Sequence, residues 1–345
     1  MKAKKIKKVI LSIIALIAAA ALLVGGYLMY RFNCNKSDSD FEYDEVFSNE
    51  QIALNVSDNG EFRILKINDT HFFDGVCDND VKTLNGIKSV LDTSSCDLII
   101  VDGDLVEGFT LNQNYDKFQA IDTFSELVES YNIPWTFAPG NNDGEMDGSN
   151  KDIIAHLMQY DNFVSGNSEG ISGDMQFFIE LNYQNELVHS IAVMDSGARK
   201  PKAVGGYDYI KKNQIEWLID GVSKRNVKTS VFFHMPSTDF QTAYDSGVAY
   251  SDFEMYNTFP YDEIESNKLF ADSIKGNENI ALISCAHQHS NNMCSFYDGR
   301  YYQLSCCSGY GAGHHDFINP CCTLTTININ EDNTQTMYSF EEITL

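Results

Sequence analysis

The sequence predicts an α/β domain with a mixed or double β-sheet, and three observations carry that reading. Short β-branched runs alternate with amphipathic stretches from about residue 60 onward. The last hundred residues are richer in strand and turn segments. Of the 345 residues, 43 % are hydrophobic, enough for a sizeable core. Alternating strand and helix followed by further strand is the pattern of sheets covered by helices. No repeat and no natural break interrupts 57–345, so one domain is the simplest organisation.

Taken in order, the chain opens on a basic tail, "MKAKKIKK" (1–8), with five lysines. Residues 9–30 then run without a charge, long enough at 1.5 Å per residue to cross a bilayer as a transmembrane helix. That run exceeds a secretory h-region of about 7–15 residues, which favours a retained anchor over a cleaved signal peptide. Either one exports the remainder of the chain. Lysines ahead of the span keep the N-terminus cytoplasmic and put the domain outside the cell membrane. Residues 31–56 are polar and acidic and read as a stalk.

Strand-like runs occupy 62–68, 97–103 and 133–139, with an amphipathic helix over 113–131 before the third. Further runs lie at 175–181, 188–195, 229–236 and 279–285, with a helix over 211–224. A hairpin pattern (293–305) and a strand (322–330) close the domain.

Charge excludes some partners. Seven of the 24 basic residues and none of the 49 acidic ones lie in the first 36 positions, leaving the remainder at 17 against 49, a net of −32. Such a field repels nucleic acid and anionic membrane surface. Nine cysteines in an exported chain permit disulfides. Cys77 and Cys96 flank one helix and Cys294 and Cys306 flank the hairpin, so both pairs are candidate bridges. The doublets Cys306-Cys307 and Cys321-Cys322 leave the connectivity open.

Ligands of open α/β sheets sit beyond the carboxyl ends of strands, and here those ends are uniform. They carry "DTH" (Asp69, His71), "DGDLVE" (Asp102, Asp104, Glu107), "GNND" (Asn141, Asn142, Asp143), "HMP" (His234) and "AHQH" (His287, His289). A lone histidine is usually a packed or solvated group, and a lone Asp after a strand usually a turn residue. Five such ends together point to a metal centre. His156 and His189 lack this company and read as structural. Carboxylate, imidazole and amide oxygen suit Zn, Mn or Fe, and two such ions about 3.5–4 Å apart polarise a phosphoryl oxygen and generate hydroxide near neutral pH. Asp104 is the natural bridge, because Gly103 lets the chain turn before it. A calcium loop starting at Asp143 fails, since its twelfth position is Ile154 where a bidentate Glu is required.

The ordered set DxH, GDxx(E), GNxD, H and xHxH resembles the calcineurin-like metallophosphoesterase superfamily. "VMDSG" (193–197), "GGYDYIKKNQIEWL" (205–218) and "FFHMP" (232–236) are most similar to its purple-acid-phosphatase-like branch. The resemblance spans about 62–313. It implies a four-layer fold, two mixed β-sheets packed as a sandwich between helices. It also implies two divalent ions: Asp69, His71, Asp104 and His289 would hold one, and Asp104, Asn141, His234 and His287 the other.

Three departures qualify it. Asn142 stands where the family has a histidine that assists the leaving group; it can donate a hydrogen bond but no proton. Such assistance is worth roughly 10²–10⁴-fold, and Asp143, His314 or His315 are candidate substitutes. Glu107 replaces the tyrosine ligand of purple enzymes, and Ala286 replaces a glycine. The expectation is a membrane-anchored, extracytoplasmic phosphoesterase that takes a small phosphorylated substrate, a mono- or diester, by metal-hydroxide attack. Its alternatives are a metal-binding pseudoenzyme serving as a surface recognition module and a purely structural anchored domain.

Overall fold

The computed structural model describes residues 12–26, 52–146, 148–198, 206–249, 267–313, 318–329 and 336–345. Helix α1 covers 12–26. The strands are β1 (Ile52–Asn55), β2 (Glu61–Ile67), β3 (Leu98–Asp102), β4 (Trp135–Ala138), β5 (Gln176–Tyr183), β6 (Glu186–Met194), β7 (Lys228–Phe232), β8 (Val248–Ala249), β9 (Ile280–Cys285), β10 (Met293–Tyr297), β11 (Arg300–Leu304), β12 (Cys321–Ile329) and β13 (Thr336–Thr344). Helices α2 (Asp78–Thr93), α3 (Lys117–Glu129), α4 (Asn150–Leu157), α5 (Lys212–Arg225), α6 (Asp239–Ser246) and α7 (Lys268–Ile274) lie between them.

The strands form two mixed sheets. The larger runs β1-β5-β6-β7-β9-β11-β10-β8 and the smaller β13-β12-β2-β3-β4. In the smaller, β2, β3 and β4 are parallel and β12 returns antiparallel beside β2, pairing Leu324 with Leu65. In the larger, β6, β7, β9 and β11 are parallel. Strands β3 and β4 are buried along their whole length, as parallel strands covered on both faces must be.

One core joins the two sheets through Ile64, Ile100, Phe137, Ile179, Ile191 and Leu282. The smaller sheet takes α3 through Phe124, whose ring centroid is 6.1 Å from Trp135. A second core covers the other face of the larger sheet, where Leu218 and Val222 of α5, Phe240 of α6 and Phe270 of α7 meet Phe178, Val231 and Ile283. This is the mixed α/β two-sheet arrangement the resemblance implies. The helix starts obey local chemistry: Asp116 caps α3, and Ser149 with Asp152 forms a capping box on α4.

Three expectations are corrected. Residues 52–55, read as stalk, form edge strand β1 beside β5; four alternating residues are too short a signal to distinguish from linker. Cys77 and Cys96 are free, because they sit at opposite ends of the 16-residue α2, about 24 Å apart, whereas bridged Cα atoms lie within about 7 Å. Cys294 is free as well: Gln303 is its partner across the hairpin, and Cys306 is bonded to Cys321 with Cα atoms 6.4 Å apart. Among the described residues no helix is long and apolar enough to cross a membrane. Helix α1 covers 15 residues of the charge-free run, about 22 Å at 1.5 Å per residue, and 9–11 and 27–30 lie outside the described residues.

Candidate metal centre

The carboxyl ends of β2, β3 and β4 in one sheet meet those of β7 and β9 in the other, and the strand-end motifs converge there. The backbone is strained where they do. Asp69, His71, Asp104 and His287 all adopt positive φ, at 48°, 48°, 49° and 72°. None is a glycine, so each costs of order 1–3 kcal/mol and persists because the surroundings over-determine it. The turns also demand close approach. A Cβ on Gly140 would collide with the Asp104 backbone and carboxylate, and one on Gly103 with the His234 ring.

Two groups of ligand atoms result. Asp69, His71, Asp104 and His289 offer atoms within 4.8 Å of one another, and so do Asp104, His234 and His287. His71 Nε2 lies 3.1 Å from His289 Nε2, Asp69 Oδ1 3.3 Å from His289 Nε2, and Asp104 Oδ2 3.6 Å from His71 Nε2. In the second group His234 Nε2 is 3.4 Å from the same Asp104 Oδ2. Donors on one ion with bonds near 2.1 Å sit roughly 3.0–3.4 Å apart, and three of these four separations fall in that range, the fourth just beyond it. Asp104 Oδ2 belongs to both groups, as a bridging oxygen requires.

The donor chemistry fits too. His234 Nδ1–H donates to the Asp102 carbonyl at 2.8 Å and His289 Nδ1–H to the Ala312 carbonyl at 3.0 Å, so in the neutral rings each Nε2 presents a lone pair to the centre. The His71 and His289 Nε2 atoms face each other across 3.1 Å, so a shared proton or a cation satisfies both. Asp69 Oδ1, Asn141 Oδ1 and His234 Nε2 are buried without a hydrogen-bond partner. Orphaned buried polar atoms of this kind are costly unless a cation satisfies them.

Burial pushes Asp69 up, but the imidazoles of His289, His234 and His71 outweigh it and hold the carboxyl below its usual range. For His234, burial lowers the pKa and the Asp104 and Asp69 carboxylates more than reverse that, raising it to about 10. Such mutual pull marks a site built for opposite charges at close quarters.

The departures acquire geometry. Asn142 donates from its backbone N to Asp104 Oδ1 at 2.7 Å and from Nδ2 to Asp104 Oδ2 at 2.8 Å. Asp143 is buried, and its carboxylate accepts the backbone N–H groups of Asp104, Gly140 and Val106 at 2.8, 2.7 and 3.2 Å. Burial and the neighbouring Asp104 raise it to about 6. Three amides fill its oxygens, so the geometry makes it a clamp between two loops rather than a substitute acid. Glu107 lies beside His71, Oε2 to Nδ1 at 3.5 Å, where it orients the ring. Ala286 is buried and donates its N–H to the His234 carbonyl at 2.9 Å. His314 and His315 lie outside the described residues. His156 pairs with Asp122 and His189 with Ser230, away from the centre.

Sequence reasoning passed over the supports. Asn68 Nδ2 donates to Asp69 Oδ2 at 2.9 Å and to the Cys306 carbonyl at 2.8 Å, tying a ligand to the bridged segment. Lys66 is buried beneath the centre, its Nζ 3.4 Å from Asp102 on the smaller sheet and 2.8 Å from Ser284 Oγ on the larger. A lysine inside the run "FRILKIN" was the only signal of it.

The model of the calcineurin-like phosphoesterase family matches residues 62–291. The chain is 26 % identical over 303 residues to probable inactive purple acid phosphatase 29 of Arabidopsis thaliana, covering 76 % of this chain and 75 % of that one. It is 24 % identical over 322 residues to phosphatase DCR2 of Saccharomyces cerevisiae, covering 82 % of this chain and 54 % of the longer yeast protein. Its fold is similar to that of a dimetal phosphatase from Danio rerio, with a TM-score of 0.52 and 9 % identity over 82 % of this chain and 98 % of that one. Matched over two thirds of its length and carrying the convergent ligand groups, the chain belongs to the calcineurin-like phosphoesterases and is of their metal-dependent phosphoric ester hydrolase class.

Proposed function

We propose that the protein is a dinuclear-metal phosphoesterase anchored in the cell membrane with its domain outside. The observation that carries the reading is the convergence of Asp69, His71, Asp104, His234, His287 and His289, and Asn141, on the strand-end turn against Asp104, has a buried side-chain oxygen without a hydrogen-bond partner. Asp69, His71, Asp104 and His289 would hold one divalent ion and Asp104, Asn141, His234 and His287 a second. Bound there, the pair supplies Lewis-acid polarisation of the phosphoryl group and a lowered pKa for water.

The chain's own residues bind and orient. Asp104 stands between the two positions with both oxygens held by Asn142. Asp102 and Ala312 fix the tautomers of His234 and His289, and Glu107 orients His71. With Asn142 unable to donate a proton, esters with good leaving groups are the favoured substrates. Small phosphorylated molecules suit a site on so acidic a domain, because the cations themselves supply the attraction. The anchor rests on the sequence alone, on the lysine tail before the charge-free run of 9–30.

The test is release of nitrophenol from mono- and bis-nitrophenyl phosphate with Mn, Zn or Fe between pH 5 and 9. Absence of release under every condition rejects the enzyme. Retention in the pellet after alkaline extraction of membranes tests the anchor.

Asn142 also favours a second reading, a metal-binding pseudoenzyme acting as a recognition module, and the plant relative bears the word inactive in its name. Full metal loading without turnover, even in Asn142→His, supports that reading. Recovered turnover in the variant rejects it.

A further inference from the structure

Lys117, the first residue of α3, is buried, and its ammonium lies against the turn that carries Asn141, Asn142 and Asp143. Two local rules disfavour it there. A cation in the first turn of a helix faces the positive end of the macrodipole. Burying an ammonium strips its water. Nor does α3 need it to start, since the Asp116 carboxylate already accepts the Gln119 N–H at 3.0 Å.

What the position gains is the turn. Lys117 Nζ donates to the carbonyls of Asp143, Glu145 and Gly148 at 2.7, 2.9 and 3.1 Å. Backbone carbonyls are among the oxygen ligands a bound calcium accepts, and three of them close on the ammonium here. Here the cation is tethered to a neighbouring helix. The same turn is gripped a second way, by the Asp143 carboxylate on the amides of Gly140, Asp104 and Val106. Asn141 Oδ1 and Asn142 Nδ2 project from the residues held between these two grips.

We propose that Lys117 is a positioning residue for the metal centre: its ammonium replaces a bound ion at the heart of the 143–148 turn and sets the Asn141 oxygen at the second metal position. The proposal rests on the phosphoesterase reading of the same site. Asn141 serves only the second ion, whereas Asn142 of the same turn holds Asp104, which serves both, so loss of Lys117 weakens the second ion more than the first. A general loss of stability affects both alike.

The experiment titrates purified wild type, Lys117→Met and Lys117→Arg with Mn²⁺, alongside melting temperature and nitrophenyl phosphate turnover. The expected result is two sites in wild type. In Lys117→Met the second site weakens about 10–100-fold, the usual effect of removing a residue that orients a ligand. The first site weakens less than the second, and the charge-conserving Lys117→Arg recovers part of the loss. Should Lys117→Met not fold, Lys117→Gln, one bond shorter and neutral, is read the same way. Two sites of wild-type affinity in the Met or Gln variant overturn this inference alone. Fewer than two sites in wild type overturn the phosphoesterase reading and the inference with it.

Discussion

Asn142 holds Asp104 with both of its nitrogens, its backbone N–H on one carboxylate oxygen and its side-chain amide on the other, at 2.7 and 2.8 Å. The residue that departs from the family pattern thus supports the carboxylate shared by both ligand groups. Asn142→Ala keeps the backbone bond and loses the other. The expected outcome is Mn²⁺ affinity about tenfold weaker, read by titration, with the melting temperature nearly unchanged.

Gly140 approaches Asp104 so closely that a single methyl cannot be placed there. Gly140→Ala is expected to destabilise by roughly 1–3 kcal/mol through overpacking and to weaken metal binding, because the strand-end turn must move. Urea denaturation with and without Mn²⁺ separates the two effects.

Removing metal should itself destabilise the fold, since the centre leaves lone pairs and carboxylates facing each other. Adding Mn²⁺ at a hundred times its dissociation constant is expected to contribute about 2.7 kcal/mol for each site filled, relative to chelated protein. Scanning calorimetry in chelator and in metal gives the comparison, and identical curves would count against metal binding.

The Cys306–Cys321 bond closes a loop with a separation of 15 residues. Its loss should cost about 3 kcal/mol on the loop-entropy account. Because the Cys306 carbonyl anchors Asn68, which holds Asp69, metal affinity is expected to fall as well. Cys306→Ser with Cys321→Ser, measured for melting temperature and Mn²⁺ binding, checks both.

His189 lies inside the larger sheet, where burial lowers its pKa from 6.5 to about 3. The unfolded chain therefore binds a proton near pH 6.5 that the folded chain refuses until about pH 3. Stability is full above 6.5 and falls as pH falls across that window, by on the order of 5 kcal/mol in all. In His189→Gln the acid limb of stability against pH is expected to be shallower, by denaturant titration from pH 7 to pH 4.

The chemistry of the site was legible because each ligand sits at the end of a strand whose own periodicity announces it. "DTH" after FRILKIN and "AHQH" after NIALISC need only local information, and so does the helix at 211–224. The glycines of "GD" and "GN" were equally readable, since close approach leaves its mark in the residue type. Edge strand β1 was not legible: four alternating residues gain their structure from β5, more than a hundred positions away.

By itself, then, the sequence determined the alternation of elements, the identity of the seven candidate ligands and the acidity of the domain that carries them. Only the tertiary structure decided how β12 comes back beside β2, which cysteines meet, and that Asn142, Lys66, Asn68 and Lys117 stand behind the ligands. The reason is one of range. Hydrophobic period and turn chemistry act over a few residues, whereas a hydrogen bond from α3 to the 143–148 turn, or from Asn68 to Cys306, exists only once burial has packed the sheets and helices together.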